Sequence, residues 1–122
     1  MYNFEEAVRK IDICCRSLLA GCFGTLEADL RIDLEAIAEA NVEFNTLVQS
    51  ALNTAPGQRP DKLVHDLYNP LNVVMGYSEI LVDTRRLNAI QRLYVQIIGQ
   101  QGQELVAAVD MTFRENNIRG MA

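Results

Sequence analysis

The chain is poor in helix breakers. Three prolines and seven glycines are spread through 122 residues, which leaves room for long helices. It also lacks an excess of positive charge. Eleven Lys and Arg against sixteen Asp and Glu give a net charge of −5. That balance excludes a broad basic surface for nucleic acid phosphates and disfavours anionic membranes. No apolar run reaches the ~18 residues that a membrane-spanning helix needs. The opening MYNFEEAVRK is acidic and periodic, unlike a signal peptide. No membrane insertion is expected, and the place expected is the cytoplasm. Cysteine is scarce and odd in number, at Cys14, Cys15 and Cys22, with no histidine near. Cys15 and Cys22 share an apolar stripe and read as reduced core residues, with no metal or redox site. There is one histidine, His65, and no glycine cluster to cradle a nucleotide's phosphates.

Apolar residues make up 49% of the chain, enough for a core. Asn3 and Glu6 have the spacing of a capping box. Phe4, Val8, Ile11, Cys15, Leu18 and Cys22 follow at threes and fours, a helix stopped by Gly21 and Gly24. Thr25 is a candidate cap for the next helix. Its stripe is Leu26, Leu30, Leu34, Ile37, Ala40, Phe44, Leu47 and Ala51. The joining turn is short, so the two helices should be antiparallel neighbours.

APGQRPD, residues 55–61, cannot continue a helix. It is expected to link an N-terminal helical hairpin, residues 1–54, to a second hairpin, residues 62–118. The third helix is expected from Pro60 or Asp61 to Asp83, and the fourth from Leu87 to Asn116. The fourth stripe reads Ile90, Leu93, Ile97, Leu105, Ala108 and Thr112, weak around GQQGQ. The fold class expected is all-α, antiparallel hairpins forming a four-helix bundle. One hairpin cannot bury its own stripe. Either the N-terminal hairpin covers it or a second copy does, and a homodimer is the expectation.

Residues 63–81, LVHDLYNPLNVVMGYSEIL, carry the chemistry. Turning about 100° per residue from His65 puts Asn69, Asn72, Gly76, Glu79 and Asp83 within about 40° of it. Leu63, Leu67, Leu71, Val74, Ser78 and Leu81 gather opposite. His65 therefore centres a wet face. Pro70 removes a backbone donor one turn after Asp66. That predicts a kink beside the histidine or, in the competing reading, two shorter helices with Asn69 as a cap.

The run His65-Asp66-Leu67-Tyr68-Asn69-Pro70-Leu71-Asn72, with Gly76-Tyr77-Ser78-Glu79-Ile80-Leu81 after it, resembles the H-box of sensor histidine kinases. Gln91, Ile97 and Gln103 to Val106 resemble the second helix of their dimerisation and histidine-phosphotransfer domain. The resemblance covers residues 60 to 115, and residues 1–54 resemble no family we can name. It implies a phosphoacceptor at His65, a general base and imidazole partner at Asp66, and a water-orienting amide at Asn69. Asn72, Gly76 and Glu79 would then lie on the partner-docking face. Tyr68 departs from the family, where a basic residue is common.

A neutral imidazole is a nucleophile near pH 7, and phosphoryl transfer is mostly positioning and charge stabilisation. The implied function is phosphotransfer in two-component signalling, from His65 to an aspartate of a response regulator receiver domain. No cofactor is expected on this chain. ATP and Mg are implied only through a separate kinase or receiver domain, with the ATP-binding domain acting in trans or in a longer chain, so no autonomous kinase activity is expected. The competing function is a non-catalytic dimerisation or regulator-binding module built on the same bundle.

Overall fold

The computed structural model describes residues 1–114. Helices α1 (Phe4–Leu19) and α2 (Ala28–Leu52) form the first hairpin. A one-turn 3₁₀ helix (Pro56–Gln58) leads to α3 (Asp61–Asp66) and α4 (Tyr68–Asp83). Helix α5 (Ala89–Val109) returns antiparallel and ends in a π-helical turn, Asp110–Arg114. α1 packs on α2 and α5, and α4 packs on the same two. The result is an up-down-up-down four-helix bundle with one shared core.

All four long helices come from one chain. The sequence led us to expect a second copy to close the bundle. In the structure the N-terminal hairpin takes that place, so closure needs no homodimer. The buried positions show why. Phe4, Ile11, Cys15 and Leu18 of α1, with Leu30, Leu34, Ile37 and Phe44 of α2, are all buried. They meet Leu67, Leu71, Val74 and Leu81, and Val95, Ile98 and Leu105, from the second hairpin. Burying each such side chain is worth about 1.5–3 kcal/mol, and each hairpin gains it on the other.

Several local expectations change. The Asn3 side chain accepts from the Glu6 N–H at 3.0 Å, but the Glu6 carboxylate pairs with Lys10. α1 stops at Leu19, before Cys22, and Gly21 and Gly24 turn the chain with φ of 78° and 116°. Cys22 is therefore exposed in the turn, while Cys14 joins Cys15 in the core. Burial pushes the Cys15 thiol up to about 12, aided by Cys14 and Asp12, which leaves it protonated and unreactive. Thr25 caps nothing, because α2 begins after Glu27.

The phase of α5 is the largest correction. Ile90 and Leu93 are exposed and Ile97 is half-buried. The buried row is Gln91, Val95, Ile98, Gly102, Leu105 and Val109. Gln91 holds a core position because it completes a capping box with Asn88 and donates to the carbonyls of Gly24 and Thr25. Asn88 also donates to the Phe23 carbonyl at 2.7 Å. The start of α5 thus satisfies the backbone of the first hairpin's loop. At the other end the same change of phase puts Phe113, four residues after Val109, in the core in place of Thr112. The expected end of the helix, Asn116, lies outside the described residues.

Candidate functional site

The third expected helix is two helices. Pro70 has no N–H, so the Asp66 carbonyl loses its partner one turn on. The Leu67 N–H bonds back to Val64 instead, at 3.2 Å, a tighter turn than α-helical. Leu67 keeps helical angles, φ −62° and ψ −30°, so α3 runs on into α4 with its hydrogen-bond ladder interrupted rather than its direction reversed. The interruption falls at Leu67, and Asn69 is not a cap. Pro70 sits in the first turn of α4, where its fixed φ suits the helix and the bond lost is the one to Asp66.

The side chains divide as the periodicity demands. Val64, Leu67, Leu71, Val74 and Leu81 point into the core. Ser78 is buried too, and donates to the Met75 carbonyl at 3.0 Å. His65, Asn69, Asn72, Gly76, Glu79 and Asp83 are exposed, and Asp66 is half-buried beside them. Among the described residues neither His65 nor Asp66 makes a side-chain hydrogen bond, so the imidazole is open to an incoming group. His65 lies in the last turn of α3. The flanking residues are more tightly held. The Tyr68 hydroxyl donates to the Asp110 carboxylate in the π turn. Arg59 donates to the carbonyls of Ala51 and Thr54, at 2.9 and 3.2 Å, and lies 4.8 Å over the ring of Phe113.

Below the histidine, α4 and α5 approach closely along two glycines. A Cβ on Gly99 would come 3.1 Å from Ser78 Oγ, and one on Gly102 3.1 Å from Met75 Cγ. This accounts for the weak stretch of the fourth stripe: the contact needs absent side chains. Outside the contact lies a groove of about 550 Å³, lined by Glu79, Gln96, Gln100 and Gln103 among others. Of the three expected docking residues only Glu79 reaches it. Asn72 and Gly76 stay on the face with His65, and a Cβ at Gly76 would meet nothing within 4 Å.

The site is thus an exposed histidine, followed by an acid and one turn later by an amide, on an interrupted helix. Residues 61–115 match the family model of the His Kinase A (phospho-acceptor) domain. This segment is similar to that family. No curated protein and no solved structure matches the chain. The His Kinase A hairpin is a phosphoacceptor and dimerisation module of two-component signalling, and it works with kinase and receiver domains. In this chain it comprises α3, α4 and α5. Among the described residues no three His, Cys, Asp or Glu side chains gather as metal ligands. No helix among them is long and apolar enough to cross a membrane.

What sequence reasoning missed is the clamp around α3. Arg59 and Tyr68 carry no motif signal for contacts with Phe113 and Asp110, which lie far along the chain. The one available hint was that a tyrosine with a half-buried ring needs a partner for its hydroxyl.

Proposed function

We propose that this chain is a phosphotransfer module that carries phosphate on His65 and passes it to the aspartate of a response regulator. The observation that carries the reading is His65 itself, exposed and unbonded on the segment that matches the His Kinase A model, with Asp66 next in sequence and Asn69 one turn on along the same face. A ring nitrogen attacks phosphorus, an N–P bond forms, and the bond to the donor oxygen breaks. The donor leaves as ADP or as a carboxylate, and the imidazole sheds its N–H proton. Asp66 is the acid placed to stabilise the positive ring and take that proton. Asn69, one turn on, presents an amide to a water that would hydrolyse a partner's aspartyl phosphate. Asn72, Gly76 and Glu79 extend the docking face. ATP and Mg belong to the kinase or receiver domain that meets this face. Because the N-terminal hairpin closes the bundle, one chain presents one complete phosphoacceptor face.

The test is phosphotransfer from a histidine kinase catalytic domain with radiolabelled ATP, or from a phosphorylated receiver domain. Wild type should gain acid-labile label, and His65→Gln should gain none while keeping its helicity. Asp66→Asn should slow uptake by ~10²- to 10⁴-fold, the range of general-base effects. Asn69→Ala should keep uptake and slow dephosphorylation of the regulator. Equal labelling of His65→Gln and wild type would leave a bundle that only binds.

A further inference from the structure

The helix that carries His65 is six residues long, too short to hold itself. Only Val64 of α3 is buried. Its ladder to α4 is interrupted at Leu67. Beyond its packing on α2 and the anchor of Leu67 in the core, a contact grips each of its ends, and both contacts reach the same place. Arg59, two residues before α3, lies over Phe113. Tyr68, two residues after it, donates to Asp110. Asp110 and Phe113 both belong to the π turn that ends α5.

Both contacts converge on the π turn. Phe113 follows Val109 by four residues on the same buried row, and it is fully buried and packs 6.2 Å from the Phe4 ring. π turns are rare and are often found at functional sites. Here one holds a short, otherwise weakly anchored helix that bears the only histidine.

We infer that the Tyr68–Asp110 hydrogen bond is a latch that positions His65, and that the π turn is the seat onto which it closes. Tyr68 is a positioning residue. Its ring lies against the core, and its hydroxyl fixes the first turn of α4 and with it the break in the ladder at Leu67. Removing the hydroxyl alone loosens that break. Removing the charge on Asp110 weakens the same bond from the other side, since bonds to a charged acceptor are about twice as strong as neutral ones. The consequence for phosphotransfer rests on the phosphoacceptor reading, but the latch itself does not.

The experiment uses the full chain as wild type, Tyr68→Phe and Asp110→Asn. Hydrogen exchange is followed on the amides of residues 61–69 and, as a reference, on those of α2. Opening the latch should speed exchange in residues 61–69 on the order of 10-fold in Tyr68→Phe, with α2 unchanged. Asp110→Asn should show a smaller increase in the same residues. Unchanged exchange in residues 61–69 in both variants, or a uniform rise across the molecule, would overturn the latch. In the transfer assay Tyr68→Phe should lower kcat with KM for the regulator unchanged, because the docking face is intact. If wild type takes no label, the phosphoacceptor reading falls, and hydrogen exchange still decides the latch.

Discussion

The two hairpins present the same pattern to the core. Phe4, Val8, Ile11, Cys15 and Leu18 of α1 occupy the positions that Leu67, Leu71, Val74, Ser78 and Leu81 occupy in α4. Leu30, Leu34, Ile37, Asn41, Phe44 and Val48 of α2 match Gln91, Val95, Ile98, Gly102, Leu105 and Val109 of α5. All are buried except Val8, which is half-buried. Outside the core the likeness stops. Counted along the same register, the place of His65 falls on Tyr2, which precedes α1, and the place of Asn69 falls on Glu6. Both hairpins build the bundle, and only the second also bears the exposed histidine.

The largest effect that could break this comparison is loss of the common core. Phe44→Ala in α2 should cost about 3–5 kcal/mol and Leu71→Ala in α4 about 2–5 kcal/mol. Each should lower one cooperative transition of the whole chain, seen in denaturant melts by circular dichroism. The midpoint should not move with protein concentration. A midpoint that rises with concentration would mean that a second copy shares the core. Two separate transitions would mean that the hairpins are independent units.

A middle-sized effect separates the glycines of the second hairpin. Gly102 faces Met75 and Val74, where an added Cβ would sit at 3.1 and 3.3 Å. Gly102→Ala should destabilise by about 1–3 kcal/mol through overpacking. Gly76 is helical and open on the His65 face. Gly76→Ala should stabilise by up to about 1 kcal/mol, the difference in helix propensity. A thermal melt of both variants checks the opposite signs, and equal shifts would show that the α4–α5 contact is looser than the geometry implies.

The smallest effect lies at the tip where the hairpins meet. Arg86, in the second loop, pairs with Glu27 and bonds Asp29 through both of its terminal nitrogens, at 3.0 and 2.8 Å. The hydrogen bonds from Arg86 hold the Asp29 carboxyl below its usual range. A carboxyl lowered on folding adds stability above its unfolded pKa, and that stability is lost as the pH falls through the lower folded value. Arg86→Gln should thus flatten the acid limb of the stability curve slightly below about pH 4. Salt should mask the difference, because the cluster is exposed. A melt series from pH 2 to 6 at two ionic strengths tests this, and an unchanged acid limb at low salt would leave the tip without a role in joining the hairpins.

The two faces of the His65 segment were legible, because a helical period assigns each residue a face before any partner is known. Leu67, Leu71 and Val74 went inward, and His65, Asn69 and Asn72 outward, as their spacing requires. The stripes of α1 and α2 were legible for the same reason except toward their ends, where Cys22 lies exposed in a turn and Val48 rather than Leu47 is buried. The phase of α5 was not. Ile90 and Leu93 are more apolar than Gln91, and only the loop carbonyls of Gly24 and Thr25 make a glutamine worth burying. Gly102 has no side chain to declare a core position, and its role follows from the nearness of Met75.

By itself the sequence determined the helices, their turns, the wet face around His65 and the family resemblance of residues 61–115. These depend on neighbours three or four residues away, on caps, and on the backbone limits of Gly and Pro. Only the tertiary structure decided that the chain supplies its own second hairpin, and that Phe113 rather than Thr112 enters the core. It alone placed Tyr68 and Arg59 on the π turn. Those outcomes depend on groups far apart in the chain, whose energies exist only once the four helices have packed.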